Sequence, residues 1–525
     1  MIVITLILAQ VVGWELLLPN QGFDPYARNP LTFQGDTLVF AGGRYEPLSG
    51  MGCWGFCSGV DTANGAILWD REFLGYEKSQ ITALARGQGC FYVAGQCRSP
   101  FGYWDIFAAK MDFSGNLIWE RISEIPESDG LVVSAMVDPK GNLVVVGIRW
   151  EKGEDIDIAL VSWDEDGNQR WNAAYDSPWH MDDVGWSSSM DEEGSSYVVG
   201  YYTGPVKKGE RWSTEPMVVR HDGNIGPEPA LGPPDTCYSL NPLVIKVDSS
   251  GNLVWVDDCE YWTVGGEFMF AEYSYGRLYV SGFECTGNLY TECLDKYGQQ
   301  LWHAWEYDNF MTIDFHGGCV DVNGNLYLTG KKCNPGPEAF VVSYSAYGQR
   351  RFINMVFQGY GLRVAVDPWG NLFIGGSVID SVGQDFMVAK LDTLGNLKWL
   401  YRKDDGTPDT NQPDECYGLL PDLQGGVFAM GVLYDSAMTP IQYIVHLADT
   451  TGEVSEHASG TPGLTILPSP SGFWISGYEG EAQIYDPAGR LVIKKEIRGK
   501  TLVRPLSPGV YFVVAGKERA KVAVR

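Results

Sequence analysis

The chain has 525 residues, of which 45% are hydrophobic and 20% charged, enough apolar material for a large buried core and too much for a disordered chain. Its 38 Lys and Arg against 66 Asp and Glu leave a net charge of −28, so nucleic-acid backbones and anionic membrane surfaces are repelled and nucleic acid is not expected as a partner. With 64 Gly, 28 Pro, 18 Trp, 28 Tyr and 22 Phe, the composition favours short strands joined by tight turns, which points to an all-β fold.

The first segment, residues 1–9, holds an apolar run from Ile2 to Ala9 that resembles the hydrophobic part of a secretory signal, although short and without a basic start. Such a segment predicts export. No later run reaches the roughly 18 apolar residues a spanning helix needs. The 11 cysteines include no Cys-x-x-Cys pair. The spacings Cys53 with Cys57, Cys90 with Cys97, Cys285 with Cys293 and Cys319 with Cys333 suit disulfides or plain buried thiols better than a metal.

Residues 10–457 carry two alternating patterns. One is a turn, a strand and a glycine, as in "DPKGNLVVVG" (138–147), "DEEGSSYVVG" (191–200), "DVNGNLYLTG" (321–330) and "DPWGNLFIGG" (367–376). The other is a strand, a turn and an aromatic, as in "MDFSGNLIW" (111–119), "WDEDGNQRW" (163–171) and "LDTLGNLKW" (391–399). Asp-x-x-Gly-Asn supplies an Asx side chain and residues tolerant of positive φ, so each copy marks a hairpin. Strands of five to eight residues repeating at roughly 50-residue intervals predict four-stranded propeller blades. Middle strands apolar on both faces fit a sheet packed between two others.

Ring closure is predicted as well. Trp119 to Gly147 spans 28 residues, as does Trp14 to Gly42, so Trp14 sits at the aromatic position of an outer strand that lacks its own blade. The last unit, conversely, lacks that strand. The segment from Trp14 to Leu18 is therefore expected to complete the last blade. Matching Trp14, Trp69, Trp119, Trp171, Trp255, Trp302, Phe352 and Trp399 predicts an eight-bladed β-propeller, with seven blades as the alternative. The recurring aromatics are read as packing between blades.

The pattern resembles the SBBP-type repeats of secreted bacterial β-propellers, whose units run from Gly-Asn-aromatic to Asp-x-x-Gly-x-x-x-Trp. The turn and its Trp, particularly Asp61 to Trp69, also look like the docking element of pyrroloquinoline-quinone dehydrogenases. Those enzymes add a vicinal disulfide and a calcium-bound cofactor. No Cys-Cys dipeptide occurs here, so no cofactor is expected.

The linker 458–472, rich in Gly, Pro and Ser, ends the repeat, and residues 473–525 are expected to form a small β-sandwich. Residues 462–525 hold ten Lys and Arg and five Asp and Glu, a balance of +5. The order Tyr485, Asp486, Gly489, Arg490, Leu491, then Pro508, Gly509, Val510, Tyr511 resembles the type A sorting domain of the type IX secretion system. That resemblance implies the secretion machinery as a partner and a secreted or outer-cell-surface location in a bacterium.

Loops between blades vary strongly, most of all in the elaborated connection from Tyr201 to Asn241, with the loops 175–186 and 260–267 near it in the repeat order, and loops on a rigid scaffold are where recognition concentrates. Trp179, His180, Asp182, Asp183, Trp186, Trp212 and Trp262 are the candidate ligand-binding residues, since aromatic faces beside carboxylates suit a glycan or a peptide. No catalytic residues and no metal site are assigned. Neither Gly-x-Ser-x-Gly nor His-Glu-x-x-His occurs, and "DEDGN" (164–168) lacks the further ligands of a calcium loop. The expected function is non-enzymatic binding of an extracellular glycan or protein. The alternatives are a polysaccharide hydrolase or lyase and a structural envelope component.

Overall fold

The structure is a computed structural model. It describes residues 11–19, 21–22, 31–45, 53–73, 78–98, 102–123, 128–151, 155–205, 218–219, 225–226, 238–257, 265–284, 287–306, 317–332, 336–379, 383–403, 414–422, 424–434, 440–448, 465–469, 472–476, 480–485, 490–498, 501–503, 509–515 and 518–524. Every regular element among the described residues is a strand, in agreement with the all-β reading.

From residue 31 onward the chain lays down up-and-down antiparallel sheets. The third contains Ser128–Val137, Leu143–Glu151, Ile156–Trp163 and Gln169–Tyr175, and the fourth contains Asp183–Met190, Ser196–Pro205, Tyr238–Val247 and Leu253–Asp257. The strand Arg350–Val366 serves two sheets. Its first half pairs with Glu338–Tyr344 and its second half with Leu372–Ile379. Middle strands are buried throughout: Ala339, Phe340, Val341 and Val342 are all fully inaccessible, which requires apolar neighbours on both faces of the sheet. Outermost strands alternate instead, as Gln169–Tyr175 does, because only one face packs inward.

The N-terminal strand Val11–Pro19 pairs antiparallel with Pro440–Ala448, placing Leu16 opposite Ile444 and Trp14 opposite His446. It thus forms the outer strand of the sheet whose other members are Glu415–Pro421, Val427–Tyr434 and Pro440–Ala448. Side chains reinforce this closure. Lys403 Nζ lies 2.8 Å from Glu15 Oε2, and the Tyr443 hydroxyl donates to the same oxygen at 2.8 Å. His446 stacks on Phe428 at 4.5 Å and reaches Asp422 Oδ2 at 2.7 Å.

One joint repeats between successive sheets. The indole N–H of Trp14 donates to Thr62 O at 2.9 Å, that of Trp69 to Phe113 O at 2.9 Å, and that of Trp119 to Glu165 O at 3.0 Å. Trp171, Trp255 and Trp302 do the same to Ser249 O, Lys296 O and Ala346 O. Each acceptor directly follows the residue that opens a glycine turn of the following sheet, Asp-x-x-Gly at Phe113, Glu165, Ser249 and Lys296, Asp61 to Gly65 at Thr62, and Ser345 to Gly348 at Ala346. The turn glycine makes the approach feasible: a Cβ on Gly115, whose φ is +85°, would lie 2.6 Å from Trp69. Phe352 has no N–H to give, and Asn354 Nδ2 supplies a bond to Gly395 O at 2.9 Å in its place. The recurring aromatics therefore pack sheet on sheet, as the periodicity implied.

The turns share a second device. Asp112 Oδ1 accepts from the backbone N–H of Ser114 and of Asn116, both at 2.9 Å, while its Oδ2 accepts from the Asn116 amide at 2.8 Å. Asp138, Asp164, Asp248, Asp321, Asp367 and Asp392 repeat the arrangement. An Asx side chain that satisfies these donors explains why Asp opens the turn and Asn closes it.

Beyond residue 464 the described strands form two antiparallel sheets, one of Thr465–Ser469, Gly472–Ser476 and Thr501–Val503, the other of Leu491–Ile497, Gly480–Tyr485, Gly509–Ala515 and Glu518–Val524. Ile475, Ala482, Ile484, Ile497, Val503 and Val513 on these strands are buried.

Two expectations are narrowed. Cys57, Cys90, Cys97, Cys293, Cys319 and Cys416 are free thiols, so each of the four spacings contains at least one unpaired member and, of the two readings left open, the thiol one holds for these six. Cys90 and Cys97 stand on one strand, seven residues apart, and enter two different apolar clusters. The elaborated loop placed at Tyr201 to Asn241 is also shorter, because Tyr201 to Pro205 and Tyr238 to Asn241 remain paired as strands.

Candidate binding site on the loop face

In an up-and-down sheet, the first and third hairpin turns fall on one side and the remaining connections on the other. On the side carrying the Asp-x-x-Gly turns, the turn-opening carboxylates are consumed by local donors. The opposite side, the loop face, carries the predicted corner between the third and fourth sheets.

Trp179 is 51% exposed and its indole edge lies over the end of Ser196–Pro205, close enough that a Cβ on Gly204 would sit 2.9 Å from it. His180 takes a left-handed backbone with φ +49° and is anchored by its N–H to Ser177 O at 3.0 Å. Its Nδ1 meets Asp176 Oδ2 at 2.7 Å, and that hydrogen bond, with the charge behind it, raises the imidazole above its usual range.

Asp182 and Asp183 divide the structural work. The Asp182 carboxylate accepts the N–H of Ile156 at 3.2 Å, tying the fourth sheet to the third. A parallel joint links Asp129 Oδ1 to the N–H of Trp104 at 2.7 Å one sheet earlier, so this acceptor belongs to the scaffold. Asp183 is fully buried and accepts the N–H of Ser177 on Oδ2. Desolvation pushes its carboxyl up to about 7, against the pull of Ser177, and the nearby charges of Asp157 and Asp176 add to the rise.

Trp186 is tied inward instead. It is the bulged residue of Asp183–Met190, and its indole N–H donates to Glu267 Oε2 on the inner strand Gly266–Ser274. Solvent reaches part of Glu267, yet protein surrounds it so closely that desolvation raises it to about 7, with the Trp186 bond opposing. Trp212 and Trp262 lie outside the described residues.

The structure adds residues the sequence reading passed over. Asp155 and Asp157 begin the third strand of the third sheet, and Asp176 follows its outer strand. One carboxylate oxygen from each lies within 4.8 Å of the other two. Arg149 holds Asp157 Oδ2 at 3.0 Å, but burial, with the charges of Asp176 and Asp155, still leaves Asp157 raised. The signal in the sequence was the alternation Asp155-x-Asp157, which puts both side chains on one face of an extended chain. Nothing local announced Asp176 as the third member.

No family model matches the chain, and no curated protein does. Among solved structures, the quinohemoprotein alcohol dehydrogenase from Comamonas testosteroni is similar over 88% of this chain and 79% of its own, at 10% identity and a TM-score of 0.51. Sqt1 from Chaetomium thermophilum aligns over 84% of this chain and 100% of its own, at 9% identity and a TM-score of 0.46. At such identity the first likeness carries the fold alone. It agrees with the closed strand pairing and the repeated Trp joint: the chain is a β-propeller.

Proposed function

We propose that this β-propeller is an eight-bladed, non-enzymatic binding protein, secreted or displayed on a bacterial surface, whose loop face engages an extracellular glycan or protein. The blade count is supported by the innermost strands, which touch in the cyclic order Leu31–Gln34, Ser79–Arg86, Ser128–Val137, Asp183–Met190, Gly266–Ser274, Gly317–Val320, Arg350–Val366, Glu415–Pro421 and back to the first. The observation that carries the binding reading is the corner around Trp179, where an exposed indole stands beside carboxylates that the turn side would have neutralised. A glycan array probed with the full chain and with Trp179→Ala tests it. The expected result is a selective signal lost at least tenfold in the variant, and an unchanged signal moves the site elsewhere.

Export is read from the C-terminal module, taken as a small sandwich of the type A sorting class. The order of its motif supports that reading, as does pairing of Gly509, Val510 and Tyr511 with Val524, Ala523 and Val522. Tyr485 is buried while Arg490 is exposed, and Leu491 pairs with Tyr485. Asp486, Gly489 and Pro508 lie outside the described residues. Removing residues 458–525 is expected to leave the propeller inside the producing cell, measured by fractionation.

A hydrolase is the second reading, favoured by one observation: Glu267, an inner-strand carboxyl raised to about 7, is in the protonation range of a general acid. Release of product from a polysaccharide, abolished by Glu267→Gln, would replace the binding reading.

A further inference from the structure

We propose that Asp155, Asp157 and Asp176 bind one calcium ion on the loop face, pinning the Trp179 loop to the scaffold. The inference stands independently of the glycan or protein reading above. Calcium takes oxygen ligands at about 2.3–2.6 Å, so oxygens on opposite sides of one ion are about 4.6–5.2 Å apart. Oxygens from the three carboxylates all lie within 4.8 Å of one another, which fits a shared coordination sphere.

The charge balance points the same way. Among the described residues only Arg149 pairs with a member by an ion pair, while His180 adds charge only when protonated. Asp155 Oδ2 and Asp157 Oδ1 are shut off from solvent and have no hydrogen-bond partner. Buried charge without a partner is costly unless a counter-charge or a metal answers it.

A separate observation comes from the floor of the cluster. Asp183 has 0% exposure and Ser177 1%, and the Oδ1 of the first and the Oγ of the second also lack partners. Both belong to the segment that Asp176 opens, and the charges of Asp157 and Asp176 act on Asp183. These donors, with Asp183 within electrostatic reach of Asp157 and Asp176, form a floor suited to meet the ion directly or through water. Asp385 shows the alternative solution. It holds the strand position equivalent to Asp157, seven residues before a turn Asp, and there an ion pair with Arg402 answers the charge.

The consequence is mechanical. An ion held here joins the start of Ile156–Trp163 to the loop after Gln169–Tyr175, and so fixes the segment bearing Trp179 and His180. Affinity is expected in the range of extracellular calcium modules, with Kd of about 10⁻⁴–10⁻³ M.

The test uses the full chain stripped with a chelator, titrated with CaCl₂ by calorimetry and followed by thermal unfolding, with MgCl₂ as the second arm. The expected result is one saturable calcium site and a calcium-dependent rise in Tm. Asp155→Asn and Asp176→Asn should each weaken binding at least tenfold, whereas the turn-side variant Asp164→Asn should leave it intact. Without calcium, Asp155→Asn should match or exceed the parent Tm, because it removes a repelling charge. That variant keeps the test alive should Asp176→Asn fail to fold. Absence of saturable calcium binding by the parent chain, equal binding by the Asp155 and Asp176 variants, or tighter binding of magnesium than of calcium would each overturn the proposal.

Discussion

The turn side and the loop side of the propeller use the same residue, aspartate, to opposite ends. On the turn side, Asp164 is held below the usual carboxylate range by the Asn168 amide and by the backbone N–H groups of Asn168, Asp166 and Gly167. Asp392 is brought down to about 2, where desolvation works upward but the Asn396 backbone and amide, Lys398 and Leu394 outweigh it. Across the ring Asp157 and Asp183 are raised, mainly by burial. A carboxylate ringed by donors is a structural fastener, and one buried among its own kind is held ready for something positive.

The sharpest way to break that contrast is to remove one indole from each side. Trp119 is 5% exposed, and its N–H is bonded to the following sheet. Trp119→Ala should cost about 3–5 kcal/mol through the cavity and the lost joint. Trp179→Ala, at a 51% exposed position, should cost no more than about 0.5 kcal/mol. Denaturant unfolding of the two variants measures the gap, and similar losses would erase the distinction between scaffold and site.

A smaller effect is expected at the turn beneath the indole. Gly115→Ala forces an L side chain to φ +85° and sets its Cβ 2.6 Å from Trp69, which should cost about 1–3 kcal/mol. Gly35, at φ +60°, has open space around its Cβ position and serves as the control. Its alanine variant should lose only the backbone part, about 1 kcal/mol.

How much of this was legible depends on whether a residue's partner is close in sequence. Asp112 and Asn116 satisfy each other within one turn, so the motif stated its own structure. Trp14 and Ile444 are far apart, yet the repeat acted as a ruler, because an outer strand without a blade and a blade without an outer strand imply one another. Asp155, Asp157 and Asp176 had neither aid. Asp157 stands within a repeat strand, but Asp155 and Asp176 flank it on connections whose lengths vary, and only folding brings the three together. The cysteine spacings left disulfides and buried thiols both open for a related reason. Alternation along a strand sends Cys90 and Cys97 to opposite faces of one sheet, which a spacing alone does not reveal.

The pH dependence gives the finest discrimination, because the two classes of carboxylate have opposite signs. Groups lowered by folding, such as Asp112, Asp164, Asp248 and Asp392, contribute stability that is present above the unfolded value near 4. It is lost as pH falls through the folded value, about 2 for Asp392. Acid unfolding should therefore steepen between about pH 4 and pH 2, and Asp392→Asn should soften that slope. Glu267 runs the other way. Raised to about 7 by desolvation, it contributes stability that is complete below the unfolded value near 4.3 and is lost as pH rises toward 7. The isosteric Glu267→Gln removes the titration, so its unfolding free energy relative to the parent should rise from about pH 4 to about pH 7. A difference that stays flat over that window would mean that Glu267 keeps an ordinary carboxylate titration in the folded chain, and the inner strand would then offer no acid for the hydrolase reading to use.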